Sequence, residues 1–327
     1  MKNKSKKLLI GSGVAVASAA VIGAASAYTV TKYLMKIAMD REVPKIKNME
    51  KAKDQVRGIP DFDVFCEQLA AAGEALENSK CETVEICSYD GEKLIGHWYP
   101  AENANRIIVA MHGWRSSWTR DFGVISSFWH EEKCSVLYVE QRGQNNSGGD
   151  YMGFGMMERY DCLEWVKWVN TRNENELPIY LAGVSMGAAT VLMASGLELP
   201  HNVHGIIADC GFTSPHDIWK HVVENNLHLS YGVMGSIASD ICKKKIQMGA
   251  RDCSTIEALK TNKIPVLFIH GTDDHFVPVE MTYENYKACT APKRLFVVPG
   301  ADHGMSYSVD EKRYQAAMRN FWSEFDC

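Results

Sequence analysis

Two glycines bracket a lone serine in YLAGVSMGAAT (residues 180–190): Gly183 stands two residues before Ser185 and Gly187 two residues after it. An apolar run ends there and small, helix-compatible residues follow. A serine at such a boundary can be a helix N-cap, but capping does not call for the paired glycines. The spacing predicts a nucleophile elbow, a tight strand-to-helix turn holding Ser185 at an unfavourable φ/ψ, with glycines where side chains would collide. The N–H of Met186 would then face the reacting oxygen at a helix N-terminus, where the dipole favours negative charge.

A serine hydroxyl needs a base, and the base needs an orienting carboxylate. Among the eleven histidines, His303 in PGADHG follows the last apolar run and has the freedom of a loop, so it is the expected base. His112 and His270 each end an apolar run before a glycine and read as loop supports. Asp274, in HGTDDHFVP, is the preferred acid; Asp273 braces the turn, and Asp209 is the geometric alternative. The order Ser185, Asp274, His303 is nucleophile, acid, base. In HGWRSS, His112 and Gly113 shape a bend that makes the N–H of Trp114 the second oxyanion donor beside Met186.

These residues need a frame that gathers them. Near-continuous apolar runs at 106–113, 134–140, 177–185, 203–210, 264–271 and 293–300 read as strands covered on both faces. Helix candidates at 119–130, 156–172, 186–197, 279–288 and 309–325 alternate with them, and CETVEICSYDGEKLIGHWYP reads as an antiparallel pair turning at Asp90–Gly91. The alternation predicts an α/β chain with a doubly wound, mostly parallel sheet. Ligand sites in such sheets lie beyond the carboxyl ends of the strands, where all the candidates fall. The longest break, 211–263, reads as a small cap inserted over that edge.

Taken together, HGWRSS, EQRGQNNSGG, GVSMGAAT, ADCGFTS, LFIHGTDDHFVP and VPGADHGMS resemble the α/β-hydrolase superfamily. The resemblance is nearest to bacterial membrane-anchored hydrolases with monoacylglycerol-lipase-like or serine-aminopeptidase-like domains. It spans Cys81 to Cys327. It implies the triad and oxyanion roles given above, no cofactor and no metal. One segment departs from the pattern: where such proteins often read Asp-x-Arg-Gly-His-Gly-x-Ser, this chain has Glu140, Gln144 and Asn145. Asparagine tolerates left-handed backbone, so Asn145 can stand for a glycine.

The N-terminus has another character. MKNKSKK is followed by an uncharged run from Leu8 to Thr31, longer than the roughly 20 residues a bilayer-spanning helix needs. The expectation is a single-pass membrane anchor over 1–31 with the catalytic body outside the cytoplasm, or a signal segment cleaved after the small-residue site Ala25–Ala27. Residues 32–80 read as a helical stalk or linker, and 81–327 as the catalytic domain. The formal net charge of −5 gives no field for nucleic acid. Ten scattered cysteines without a CxxC pair favour buried thiols over disulfides and lack zinc-type spacing. The expected activity is hydrolysis of carboxylic esters or related acyl compounds through an acyl-enzyme. The alternatives are an aminopeptidase, with Asp217, Glu224 or Asp240 of the cap reading the substrate amine, and a binding module without catalysis.

Overall fold

The computed structural model describes residues 26–43 and 62–326. Its centre is an eight-stranded sheet in the order β1-β2-β4-β3-β5-β6-β7-β8. The hairpin β1 (Glu82–Cys87) and β2 (Lys93–Tyr99) turns through Gly91, at φ 91, and β2 runs antiparallel to β4 (Cys134–Glu140). From β4 onward all neighbours are parallel: β3 (Arg106–Met111), β5 (Ile179–Val184), β6 (Val203–Asp209), β7 (Val266–Gly271) and β8 (Lys293–Val298).

The apolar runs are continuous because both faces are covered. Ile107, Val109 and Met111 of β3 join one cluster with Trp165, Val166 and Leu192, whereas Ile108 and Ala110 join another with Phe122, Trp129 and Trp322. The period-two alternation thus divides one strand between two cores. Helix α3 (Trp118–Glu131) starts at Ser117, whose side chain accepts from Arg120 N, and α11 (Glu311–Phe325) starts at Asp310, which accepts from Arg313 N. Helices α4 (Glu158–Asn170), α5 (Met186–Ala194), α9 (Val279–Ala288) and α10 (Ser306–Val309) complete the alternation.

The break after β6 holds α6 (Pro215–His221), a π-helical turn (Val222–Asn226), α7 (Gly232–Ile246) and α8 (Thr255–Thr261). α8 packs against α5 and α9 beside the sheet, so the part lying over the site is α6 to α7. A third cluster fills the space beneath, with Phe154, Met186, Phe212, Trp219 and Met234 buried together.

Before the sheet lie helix α1, residues 26–39, and helix α2 (Phe62–Glu77), which packs on α3. Residues 32–43, expected as part of a stalk, lie against the body: Met35 and Met39 are buried in the third cluster. The expected anchor falls largely on residues 1–25, outside the described residues, and no described helix is long and apolar enough to cross a membrane.

Candidate active site

Strand β5 delivers Ser185 to the carboxyl edge at φ 56, ψ −115, a conformation that costs on the order of 1–3 kcal/mol. Its N–H donates to Asp209 O at 2.9 Å, which holds the turn against β6. The flanking glycines are dictated by backbone contact. A Cβ at Gly183 would lie 2.3 Å from the carbonyl of Gly187, and one at Gly187 would lie 1.8 Å from Met111 O on β3. No side chain fits either gap.

The loop after β8 brings His303 across to this turn. Its Nε2 lies 2.9 Å from Ser185 Oγ and its Nδ1 lies 2.7 Å from Asp274 Oδ2. With Asp274 ionised, Nδ1–H donates to the carboxylate and Nε2 accepts from the serine hydroxyl. Asp274 is buried and fully satisfied: Oδ1 accepts from the N–H groups of Phe276 (2.9 Å) and Val277 (2.8 Å). Oδ2 takes a second imidazole, His270 Nε2, at 3.1 Å. Burial alone would raise this carboxyl's pKa, but hydrogen bonds from His270 and His303 outweigh it and hold the group well below the usual carboxylate range.

For His303, burial disfavours the imidazolium, yet the Cys210 sulfur and the Asp274 carboxylate more than offset it and raise the pKa above the ordinary histidine value. Burial pushes the Cys210 thiol itself up to about 11. Ligand atoms of Cys210, Asp274 and His303 lie within 4.8 Å of one another, but both imidazole nitrogens already serve Asp274 and Ser185.

The other candidate acids go elsewhere. Asp209 accepts from Ser306 Oγ, and burial raises its pKa. Asp273 accepts from Thr272 Oγ1 at its turn.

The loop after β3 lies against the elbow: a Cβ on Gly113 would come within 3.4 Å of Ser185 Cβ. The N–H of Gly113 is already given to Asp121 Oδ2 at 2.6 Å, so it does not compete with Trp114, the donor expected from the sequence. Met186 heads α5, where first-turn N–H groups have no partner inside the helix. His112 is buried and fixes this loop. Its Nε2 accepts from Gln141 N at 3.1 Å, so the ring proton sits on Nδ1 and donates to Gly113 O at 2.8 Å. Burial lowers its pKa, keeping it the neutral ring that this arrangement requires.

The departing segment braces the same loop. Asn145 adopts φ 50, as a glycine would, and donates to Ser116 O at 3.0 Å. Glu140 ties the segment down by accepting from His97 Nε2 and Asn146. Arg115, Asn145, Ser185 and Cys210 are all left-handed without being glycine, and strain of this kind gathers at functional sites.

Ser185 opens onto a cavity of about 260 Å³ between α1, α6 and α7. Trp114, Phe154, Phe212, Trp219, Met234 and Phe276 line it, and among the described residues no charged one does. A larger cleft of about 730 Å³ lies between residues 195–204 and 261–265, at the amino-terminal end of the strands, and carries none of the three reacting groups.

The profile of the prolyl oligopeptidase family matches residues 120–325, from the first turn of α3 to the end of α11. This chain belongs to the prolyl oligopeptidase family. The match does not extend to the monoacylglycerol-lipase-like or serine-aminopeptidase-like groups expected from the six motifs. Similar to this family member is the uncharacterized protein YqkD of Bacillus subtilis, 26% identical over 249 residues that cover 76% of this chain and 81% of the relative. The esterase Pf2001 of Pyrococcus furiosus superposes with a TM-score of 0.63 at 21% identity, over 80% of this chain and 94% of that one. The acylaminoacyl peptidase of Pyrococcus horikoshii gives 0.58 at 18% identity, over 78% of this chain and 43% of that one. Family membership, fold and the Ser–His–Asp geometry together support a serine hydrolase of the α/β-hydrolase type.

Sequence reasoning missed three parts of the site. Asp121 holds Gly113 from the first turn of α3, where an acid reads as a helix-dipole partner. His270 bonds the catalytic-type carboxylate as well as Thr282. Helix α1 lines the cavity although the sequence reading divided it between the anchor or signal segment, 1–31, and the stalk, 32–80.

Proposed function

We propose that this family member hydrolyses carboxylic esters or related acyl compounds with an uncharged acyl group. His303 Nε2 takes the Ser185 proton as Oγ attacks the acyl carbon, and Asp274 stabilises the imidazolium that forms. The N–H groups of Trp114 and Met186 receive the oxyanion. Collapse returns the proton from His303 to the leaving alkoxide and leaves Ser185 acylated. Water, deprotonated by the same imidazole, then releases the acid.

The observation that carries the ester reading is the uncharged lining of the cavity at Ser185. An aminopeptidase would need a carboxylate for the substrate amine, and the three cap candidates are occupied elsewhere. Asp217 accepts from Thr213 and Ser214, Glu224 pairs with Lys220, and Asp240 is exposed outside the cavity. The family name and the acylaminoacyl peptidase neighbour favour amides as the second reading. A fluorophosphonate probe should label the wild type but not Ser185→Ala, and a p-nitrophenyl ester should be cleaved in preference to an aminoacyl anilide. Loss of kcat in the variant should approach about 10⁶-fold. Labelling that survives Ser185→Ala would remove the nucleophile, and a clear preference for the anilide would overturn the ester assignment.

A further inference from the structure

Residues 26–43 are bound to the site at two levels. Helix α1 turns Thr31, Leu34, Met35 and Ala38 inward at helical spacing onto the cavity beside Ser185, while Tyr28, Val30 and Tyr33 stay exposed. Its C-terminal carbonyls have no partners within the helix and are taken up by the loop after β3. Trp114 Nε1 donates to Ala38 O at 2.8 Å, and Arg115 donates to Ile37 O and Asp40 O, each at 2.6 Å. These two residues belong to the loop whose Trp114 N–H is assigned to the oxyanion. Main-chain bonds from Met152 N to Met39 O (2.7 Å) and from Arg41 N to Asp150 O (2.8 Å) add to the tie. An ion pair from Lys245 of α7 to Asp40 (2.6 Å) joins the segment to the cap.

We infer that helix α1 is part of the substrate site: it walls the acyl pocket, sets the chain length admitted, and clamps the oxyanion loop. This rests on the serine-hydrolase reading above and names its substrate class. At about 260 Å³ the cavity falls below the roughly 300–1,000 Å³ usual for small-molecule sites, and apart from Thr31, Ser185 and Tyr231 its lining is apolar, which fits a short to medium aliphatic acyl group. Leu34 is the residue to vary, because it faces the cavity and is only partly buried at the edge of the third cluster.

The test is the ratio of kcat/KM for p-nitrophenyl octanoate over butanoate on the full chain, with fluorophosphonate labelling run in parallel. Leu34→Trp should lower the ratio about tenfold, the lower end of what one methylene is worth in an apolar pocket, and Leu34→Ala should raise it. Tyr33→Ala, on the exposed face of α1, should leave the ratio at the wild-type value. An unchanged ratio in both Leu34 variants with labelling intact would overturn the inference alone. A wild type that neither takes the label nor cleaves either ester would instead remove the reading on which it rests. Should Leu34→Trp fail to fold, the smaller Leu34→Ala decides by the direction of its change.

Discussion

Around Ser185 the close contacts are backbone against backbone: Gly187 on the Met111 carbonyl, Gly183 on Gly187, Ser185 N on Asp209 O. Over the cavity the contacts are of another kind. Helix α1 rests there on methionine and aromatic side chains, and its charged links run from Arg115 and Lys245 to groups far away in the chain. Backbone contacts leave no slack, whereas flexible, polarizable side chains such as methionine re-pack around a new shape. The elbow is therefore built to hold one geometry for the reacting atoms, and the roof to accommodate a substrate.

Breaking the elbow should have the largest effect. Gly187→Ala would drive a Cβ into the Met111 carbonyl, with the backbone of β3 unable to yield without losing its ladder. The expected outcome is a stability loss of about 4–5 kcal/mol or more in denaturant unfolding, together with loss of fluorophosphonate labelling. A folded, labelled Gly187→Ala would show that the elbow is looser than the roof.

Asp274→Asn keeps the shape and removes the charge, with an expected fall in kcat of about 10⁴-fold. It also has a pH signature. The base must be neutral, so wild-type kcat/KM rises as pH climbs through the His303 pKa, which the Cys210 sulfur and Asp274 together raise above the ordinary histidine value. Without the carboxylate that pKa drops, and the rising limb of the remaining activity should move to lower pH. A limb that stays in place would mean that Asp274 does not set the charge on His303.

At the roof, Arg115→Ala strips the donors from Ile37 O and Asp40 O. Charge-assisted bonds of this type contribute about 1.5–3 kcal/mol, so kcat/KM for the preferred ester should fall roughly tenfold, mostly through KM. Arg115→Lys should recover part of that. Equal losses in kcat for both variants, with KM unaltered, would place Arg115 in the chemistry rather than in the clamp.

The parts of this site that were legible in the sequence share one property: each is encoded within a few residues. The strand–Gly–x–Ser–x–Gly–helix pattern announces the elbow because the collision it avoids lies between neighbours in the chain. The histidine and aspartate loops follow apolar runs whose carboxyl ends must share one edge, so Asp274 and His303 could be named before their 2.7 Å contact was known. Asn145 could be named as a glycine substitute because left-handed tolerance belongs to the residue itself. Asp121, His270 and helix α1 gave no such signal. An acid in a first helical turn, a histidine before a glycine and the end of an uncharged run passing into a polar stretch each have ordinary readings, and only the partners found in space give these residues their place.

Composition and spacing alone determined a sheet buried on both faces and a set of reacting groups at one end of it, because period, glycine placement and loop position act over short stretches of chain. The tertiary structure decided which of three aspartates meets the imidazole, which N–H of the β3 loop Asp121 holds, and what lies over the serine. Those are choices between distant segments, made by burial and by the need of every buried donor and acceptor for a partner. Arg115 meeting Ile37 across 78 positions of sequence is a contact of that kind.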